Sequence, residues 1–416
     1  MMSNLIVRHA HICTPCGLQA AKGADMSRLK EIEDGIIVIE DGIITYVGVD
    51  EGMPSLPEDK EYHEIDACGN AVLPGFVDSH THLIFGGYRP DEFEWRMKGD
   101  TYMSIMERGG GIQSTVNATR EATREELADK AQWFINRMLR DGVTTVEAKS
   151  GYGLSLESEL KMLDAIKTLA EDPKQKIRIV STFLGAHAVP KEYKGKTADY
   201  VDLIINEMLP AVKGKAKFCD IFTEKNVFEI EDSRRLLNAA REMGFDLKLH
   251  ADEIVTLGGA ELSAEVGAVS ADHLLHVSDE GIKRMAEAGV VATLLPLTAF
   301  SLKEHFAPAR KFIEAGAAVA LATDLNPGSC FSGSIPLTIA LACIYMNMSV
   351  EETITALTLN GAAACGLADV TGSIEVGKSG DLCILHFPNY RMLPYYVGMN
   401  CVKTVVCRGE VAAEND

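Results

Sequence analysis

The chain has 416 residues, of which 47% are hydrophobic and 24% are charged. These fractions are typical of a globular protein, so they exclude a chain that is disordered, collagen-like or coiled-coil as a whole. The length allows roughly two to three domains, or one large barrel with a smaller companion. The formal net charge of −20 predicts repulsion from nucleic acid and from anionic lipid, so we expect neither as a partner. An anionic substrate would need a local cation.

The N-terminal residues MMSNLIVRHAHICTP contain no basic region followed by a sustained apolar stretch, so they do not resemble a signal peptide. The longest apolar stretches, such as 289–300, fall short of the length of about 18 residues that a membrane span needs. We therefore expect a cytoplasmic protein whose 10 cysteines are reduced. Cys13 and Cys16 form a lone C-x-x-C, which is more typical of packed or loop cysteines than of a zinc site.

Short β-like runs and turns occupy the first part of the chain. Asp41-Gly42 lies between two of the runs and is a strong signal for a hairpin. The charged segment 22–34 interrupts the runs, and we expect it to form an exposed loop or a short helix. The predicted strands cover residues 5–12, 35–40, 43–48 and 62–66.

From residue 71 onward, apolar β-like runs alternate with longer helical patterns. The runs cover 71–78, 143–148, 177–184, 219–223, 246–249, 268–274, 290–295 and 317–322. The helical patterns cover 124–140, 156–170, 198–212, 230–243, 254–266, 278–288 and 307–315. This alternation predicts an α/β fold built on a (β/α)8 TIM-type barrel. An open doubly wound sheet is the alternative, but no G-x-G-x-x-G follows the first strand.

The two ends of the chain share a β-rich character that the middle lacks. Two helical stretches, 335–346 and 350–365, follow the last barrel strand, and β-like runs then return. These late runs cover 372–376, 381–387 and 401–408. We therefore predict a small composite β-sandwich domain from residues 1–70 and 370–416, packed beside a barrel of residues 71–369.

Polar side chains gather where the predicted barrel strands end, which is where barrel enzymes place catalytic groups. His80-x-His82 ends the first strand, and residues two apart on a strand point to the same face. Such a pair is common in ordinary loops when it stands alone. With His250 ending the fifth strand and Asp324 ending the eighth, three strands supply three nitrogens and one oxygen. That ligand set suits Zn²⁺, or Fe in an open site.

Three residues near this predicted metal site are candidates for proton transfer. A metal-bound water is nucleophilic near neutral pH, and Asp324 can both contact the metal and accept the water proton. His273, one strand beyond the fifth, can hydrogen-bond the attacking water or a developing oxyanion. Glu253 lies close in sequence to His250 and can carry a proton to a leaving nitrogen. A purely supporting or loop role is the alternative for each.

Two features lie in the loops that follow the first strand. Arg89 could clamp a substrate carboxylate, or it could form a surface ion pair. The glycine run 109–111 neither follows a strand nor carries a lysine, so it indicates a flexible active-site loop and not a phosphate cradle.

The run LPGFVDSHTH at 73–82, the strand ends at His250 and His273, and the Thr323-Asp324 pair resemble the amidohydrolase superfamily of metal-dependent hydrolases. The tail 372–385 resembles the return of that superfamily to its β domain. The likeness extends over essentially the whole chain. The supporting motifs are HTHLIFGGYR at 80–89, GGGIQSTV at 109–116, TTVEAKSGYGL at 144–154, FLGAHAVP at 183–190, KLHADE at 248–253 and ATDLNPGS at 322–329. KSGYGL, FLGAHAVP and DLNPGS are together the most specific of them.

The resemblance implies hydrolysis of the cyclic amide bond of 4-imidazolone-5-propanoate to N-formimidoyl-L-glutamate, a step of histidine degradation. It implies one Zn or Fe ion per chain, a small anionic substrate and a homodimer. Lys225 lies past the end of the fourth strand, so a second metal bridged by a carboxylated lysine is not expected. The implied metal ligands are His80, His82, His250 and Asp324. The implied substrate contacts are Arg89, Tyr152, His187, Glu253, Asn326, Gly328 and Ser329, the last two through their backbone amides.

Two other functions remain open from the sequence. A deaminase acting on a nucleobase would share the metal ligands, but it would not need Arg89 as an anion clamp. A non-catalytic barrel used as a scaffold is the second alternative, and the intact set of four ligand positions argues against it.

Overall fold

The computed structural model describes residues 4–100, 108 and 110–416. The strands of this part of the chain form two eight-stranded sheets, one parallel and one built from both chain ends. The predicted (β/α)8 barrel with a separate β unit from the termini is confirmed, and the open doubly wound sheet is not what the chain forms. No helix in the described residues is long and apolar enough to cross a membrane.

The sheet from the chain ends, called the terminal sheet below, contains five strands from the N-terminal side and three from the C-terminal side. Its strands are β1 (Asn4–Thr14), β2 (Lys30–Glu40), β3 (Ile43–Gly48), β4 (Tyr62–Asp66), β5 (Ala71–Pro74), β14 (Leu382–Leu385), β15 (Val402–Cys407) and β16 (Glu410–Glu414). They follow the order β16-β15-β14-β5-β1-β2-β3, and β4 pairs in parallel with β1. Leu5 and Ile6 belong to different buried clusters, so both faces of the sheet are covered.

The barrel consists of eight parallel strands in sequential order. They are β6 (Phe76–Asp78), β7 (Val143–Lys149), β8 (Arg178–Ala186), β9 (Phe218–Thr223), β10 (Asp246–Ala251), β11 (Ser270–His273), β12 (Val291–Leu294) and β13 (Val319–Leu321). The two ends of this series meet just beyond β6 and β13. There the Asp324 N–H donates to His80 O at 3.0 Å, and the His82 N–H donates to Leu325 O at 2.9 Å. This seam places Asp324 beside both histidines.

Helices cover the outside of the barrel, and five of them begin where a side chain accepts from a backbone N–H of the first turn. At Thr123 the hydroxyl accepts from the Glu126 N–H at 3.1 Å, and the Glu126 carboxylate accepts from the Thr123 N–H at 2.8 Å. The helices are α1 (Pro90–Met97), α2 (Ile112–Glu121), α3 (Arg124–Arg140), α4 (Leu156–Glu171), α5 (Thr197–Leu203), α6 (Leu209–Val212), α7 (Ile230–Glu242), α8 (Gly259–Val266), α9 (Asp279–Ala288), α10 (Pro296–Leu302), α11 (Ala309–Glu314), α12 (Ile335–Tyr345), α13 (Val350–Leu357), α14 (Leu359–Ala364) and α15 (Met392–Tyr395).

The run 71–78, predicted as one strand, is two strands that belong to different sheets. The break falls at Gly75, whose N–H donates to Asp381 O at 2.9 Å. A Cβ atom at this position would lie 2.3 Å from the Thr144 side chain, so only glycine fits. The terminal sheet therefore extends to Pro74, beyond the predicted domain boundary at residue 70. The division into two domains stays an interpretation.

Three other predicted elements differ from the structure. In the segment 22–34 a 3-10 turn forms at Gly23–Ser27, but residues from Lys30 onward extend β2, so the expected loop is partly wrong. The strand over 372–376 is wrong, because the Ile374 N–H donates to the Thr14 hydroxyl at 2.8 Å and not to a neighbouring strand. The helix over 254–266 begins only at Gly259, since the Asp252 carboxylate accepts the preceding N–H groups.

Arg178 connects the barrel to the terminal unit. It lies at the start of β8, and its guanidinium donates to Thr145 Oγ1 at 3.0 Å, Asp381 Oδ2 at 3.0 Å and Ser379 Oγ at 3.1 Å. Asp381 is buried and also accepts from Thr371 Oγ1 at 2.9 Å. A buried carboxylate needs both a cation and hydrogen bonds, so this arginine stabilises the junction.

We predict that Arg178→Met lowers the free energy of unfolding by about 2–4 kcal/mol, because Asp381 would keep its charge without its cation. Urea denaturation measures the loss. Arg124→Met is the matched control, since that arginine is exposed and pairs with Glu125, and it should cost no more than about 0.5 kcal/mol. Equal losses in the two variants would contradict a role for Arg178 at the junction.

Candidate active site

The structure brings the four predicted metal ligands together at the mouth of the barrel. His80 and His82 follow β6, His250 lies in β10, and Asp324 follows β13. His80 Nε2 and His82 Nε2 each lie 3.5 Å from Asp324 Oδ1, and His250 Nε2 lies 3.3 Å from His82 Nε2. All four side chains are buried.

The unpaired atoms of this cluster face one another. His80 Nε2 and Asp324 Oδ1 are buried without a hydrogen-bond partner, whereas Asp324 Oδ2 accepts from Thr298 Oγ1 at 2.6 Å. Buried polar atoms are rarely left unpaired, so such orphans need an explanation. Three imidazole nitrogens and one carboxylate oxygen are a ligand set of a transition metal ion, and they fit one here.

Two buried carboxylates set the orientation of the imidazoles. Asp272 Oδ2 lies 2.6 Å from His80 Nδ1, and Asp220 Oδ1 lies 3.2 Å from His250 Nδ1. Because a carboxylate accepts, each Nδ1 carries the hydrogen and each Nε2 is left to bind a cation. Burial alone would lower the pKa of His250, but Asp220 outweighs it and the net shift is upward.

Lys149 lies beneath the histidines and holds the supporting carboxylates in place. Its Nζ is 2.8 Å from both Glu147 Oε1 and Asp220 Oδ2, and 3.8 Å from Asp272 Oδ2. All four side chains are fully buried. Burial opposes the charged form of Lys149, but the carboxylates raise its net pKa. Burial likewise opposes the charged form of Asp220, and Lys149 reverses this and holds the pKa of Asp220 well below its ordinary value.

None of these supporting residues is among the site residues predicted from sequence. Glu147 and Lys149 have the same i, i+2 spacing at the end of β7 as His80 and His82 after β6. This i, i+2 spacing could have indicated Glu147 and Lys149 from the sequence, since alternate residues of a barrel strand point to the same side.

His273 and Glu253 lie beside the metal ligands and contact each other. His273 Nε2 is 3.6 Å from Glu253 Oε2, and the rings of His273 and His250 have their centres 5.1 Å apart. Burial lowers the pKa of His273 well below its ordinary value, so its imidazole is neutral. Burial raises the pKa of Glu253 to about 8, and Asp324 adds to this shift. The pair therefore offers a neutral imidazole and a protonated carboxyl.

Arg89 and Arg96 form a cationic corner around Gly328. Arg89 Nη1 donates to Glu92 Oε2 at 3.3 Å, and Arg96 Nη2 donates to Gly328 O at 3.0 Å. A Cβ atom on Gly328 would lie 2.0 Å from Arg89 Nη2, so Arg89 packs against its backbone. Arg89 Nε and Arg96 Nη1 are buried without a hydrogen-bond partner in the described chain. Two guanidinium groups thus face one carboxylate, and Arg96 was not predicted from sequence.

Tyr152 and His187 contact the histidine cluster, and Tyr152 also lies near Arg89. The His187 ring stacks on His82 with centres 4.7 Å apart, and the Tyr152 ring centre is 5.8 Å from that of His82. The His187 Nδ1–H donates to Gly151 O at 3.0 Å. Burial raises the pKa of Tyr152, and the positive charge of Arg89 opposes this shift, so the two side chains lie near each other.

The loop after β13 is organised by Asn326. Its Oδ1 accepts from the N–H groups of Gly328 at 2.8 Å and Ser329 at 2.7 Å, and its Nδ2 donates to Asp324 O at 2.8 Å. Both backbone amides therefore already have an acceptor, and the substrate contacts implied for them stay a prediction. Lys225 is exposed, and Gly109 of the glycine run lies outside the described residues.

With this geometry in place, the comparisons identify the class of protein. The model of the amidohydrolase family matches residues 71–412. The chain therefore belongs to the amidohydrolase family, as its motifs predicted. The family and the histidine-rich cluster together indicate a metal cofactor.

Curated relatives at high identity share a more specific name. An imidazolonepropionase from Phocaeicola vulgatus is 60% identical over 417 residues and covers 100% of both chains. One from Bacteroides thetaiotaomicron is 62% identical over 404 residues, or 97% of each chain. One from Clostridium tetani is 53% identical over 411 residues, or 98% of each chain.

Solved structures show the same fold at much lower identity. An adenosine deaminase from Xanthomonas campestris with bound zinc superposes with a TM-score of 0.69 at 19% identity, covering 98% of this chain and 92% of that one. A triazine hydrolase variant gives a TM-score of 0.75 at 17% identity, covering 99% of this chain and 95% of that one. At these identities the likeness concerns the fold alone.

We predict that His250→Ala loses the metal ion bound by this cluster, because removal of a direct ligand should weaken binding by more than about 100-fold. The barrel should still fold, since the ligands line its mouth and not its packed layers. Elemental analysis and circular dichroism measure the two quantities. His63→Ala on the exposed side of β4 is the control and should keep its metal. A fully loaded His250→Ala protein would contradict the ligand assignment.

Proposed function

We propose that this chain hydrolyses the cyclic amide of 4-imidazolone-5-propanoate to N-formimidoyl-L-glutamate, a step of histidine degradation. The name shared by its full-length relatives supports this activity. The carrying observation is that Tyr152 lies near both the metal-ligand cluster and Arg89 of the arginine pair. The metal-ligand cluster suits an amide carbonyl, and the arginine pair suits a propionate.

We further propose one metal ion at the active site, zinc or iron, held by His80, His82, His250 and Asp324. When bound, such an ion makes a nucleophilic hydroxide available near neutral pH and polarises the amide carbonyl. The orphaned His80 Nε2 and Asp324 Oδ1 support this assignment. The supporting carboxylates Asp220 and Asp272 keep the imidazoles in the tautomer that binding needs.

The protein side chains account for the proton movements of ring opening. Asp324 accepts the proton of the attacking water as the oxygen–carbon bond forms. The neutral imidazole of His273 donates a hydrogen bond to the developing oxyanion. Glu253, whose pKa is raised to about 8, gives its proton to the ring nitrogen as the carbon–nitrogen bond breaks. A proton from Asp324 then restores Glu253, so one water is consumed in total.

Arg89 and Arg96 bind the substrate propionate in this proposal. Arg89 pairs with Glu92, and Arg96 lies near the same carboxylate, so their corner has a net positive charge that a second carboxylate neutralises. Without such a local cation, the net charge of −20 would oppose capture of an anion. The cytoplasmic location and the homodimer stay predictions.

The direct test is turnover by the purified, metal-loaded protein of 4-imidazolone-5-propanoate, compared with cytosine and guanine. The proposal predicts formation of N-formimidoyl-L-glutamate and no release of ammonia from either nucleobase. Nucleobase deamination without imidazolone hydrolysis would favour the deaminase alternative. A protein that binds metal but turns over none of the three would favour the scaffold.

Loss of either arginine should weaken substrate binding. A charge-assisted guanidinium–carboxylate pair contributes about 1.5–3 kcal/mol, so Arg89→Met and Arg96→Met should each raise KM about ten- to a hundredfold. The metal content should not change. Arg89→Lys should recover part of the loss, because an ammonium group lacks the planar two-bond fork.

An analogue with a neutral side chain in place of the propionate is the control substrate. Its kcat/KM should change little in either arginine variant, because it lacks the carboxylate that the pair binds. Equal losses for both substrates would mean that Arg89 and Arg96 shape the loop at Gly328 and do not bind the propionate.

A further inference from the structure

A second group of metal-ligating side chains lies in the terminal sheet, apart from the active site. His11 and Cys13 are two residues apart on β1, and Glu31 on β2 is the register partner of Cys13. A nitrogen of His11, the sulfur of Cys13 and a carboxylate oxygen of Glu31 all lie within 4.8 Å of one another. The three residues thus place a nitrogen, a sulfur and an oxygen around one point.

The hydrogen bonding of His11 leaves its Nε2 facing Glu31. Its Nδ1 lies 2.7 Å from Pro388 O, and since a carbonyl can only accept, Nδ1 carries the hydrogen. Its Nε2 lies 3.1 Å from Glu31 Oε2. An imidazole nitrogen and a carboxylate oxygen at this distance repel each other unless a proton or a cation lies between them. A ring nitrogen that donates to a backbone carbonyl is also the usual arrangement of a metal-bound histidine.

The charges around Glu31 favour a cation. Its ion pair within the described chain is with His11. Arg391, the permanent cation nearby, pairs with Glu351 at 2.6 Å. The Tyr390 hydroxyl lies 3.0 Å from Glu351 Oε1 and 3.3 Å from Glu31 Oε1, and its single proton can serve one of them. Glu31 and Glu351 therefore share one permanent positive charge, that of Arg391.

Cys13 contributes a buried sulfur. Its side chain is fully buried, and burial raises the pKa of the thiol to about 12, with a smaller contribution from Glu31. The metal-free residue is therefore a thiol and not a thiolate. Cys16, its partner in the C-x-x-C motif, is exposed and does not belong to the group. The spacing that matters is His11-x-Cys13, which places both side chains on one face of β1.

We propose that His11, Cys13 and Glu31 bind one divalent transition metal ion of the zinc class. The sulfur–metal bond forms as the S–H bond breaks, and the proton passes to solvent; water completes four-fold coordination. Bond lengths of about 2.0–2.3 Å require the three ligand atoms to approach by roughly 1 Å from their separation without metal. Because the ion would tie β1 and β2 to the segment at Pro388, its role is to stabilise the terminal sheet.

Cobalt(II) alone, added to the full-length protein, provides a specific probe. The active-site cluster contains no cysteine, so a thiolate-to-cobalt charge-transfer band reports the second site. The wild-type protein should show this band, release a proton on binding and unfold at a higher temperature with cobalt. Cys13→Ser should abolish the band. Cys16→Ser, in the same segment, and Cys330→Ser, beside Asp324, should keep it.

Glu31→Gln decides the question if Cys13→Ser fails to fold, because Glu31 is exposed. It should weaken cobalt binding at this site at least about tenfold, while Glu33→Gln on the same strand should not. Turnover should be unchanged in both, since neither residue belongs to the active site. Absence of the band in the wild-type protein would overturn the proposal and leave a His11–Glu31 ion pair. A band that Cys330→Ser removes and Cys13→Ser does not would overturn it equally.

Discussion

Compensation of buried charge at the barrel mouth is the constraint on which the active site depends. The charged groups that contact one another there are Glu147, Asp220, Asp272, Lys149 and Lys248, and Asp324 contacts His80 and His82 beside them. Carboxylates therefore outnumber ammonium groups in a region closed to solvent. Isolated charge in such a region is costly, so the cluster favours a divalent cation. Lys149 holds the pKa of Asp220 well below its ordinary value, and the excess of carboxylates favours a bound cation.

The orientation of the ligands follows from the same carboxylates. Asp272 and Asp220 accept from Nδ1 of His80 and His250, so each Nε2 faces the centre of the mouth. Asp324 reaches that centre through the seam that closes the barrel, where its N–H donates to His80 O. Metal binding, imidazole orientation and barrel closure thus involve the same few residues. The cationic corner at Arg89 shares no group with this cluster, and we propose that it binds the substrate.

Features that depend on local pattern were predictable from the sequence. Strand–helix alternation predicted the barrel, and His80-x-His82 followed by two more strand-end ligands predicted the cluster. Features that depend on tertiary contact were not. Arg96 lies on α1, a helix without a predicted boundary, and it reaches the site only because α1 packs beside Gly328. The late start of α8 depends on the Asp252 carboxylate, which accepts the N–H groups before the helix. The break at Gly75 depends on Asp381, which is distant in sequence.

Anomalous diffraction at the metal absorption edge, from crystals of the active protein, is the most direct test of the metal centre. The ligand assignment predicts a peak within about 2.0–2.3 Å of His80 Nε2, His82 Nε2, His250 Nε2 and one oxygen of Asp324. A fully active protein with no peak among these four atoms would contradict it.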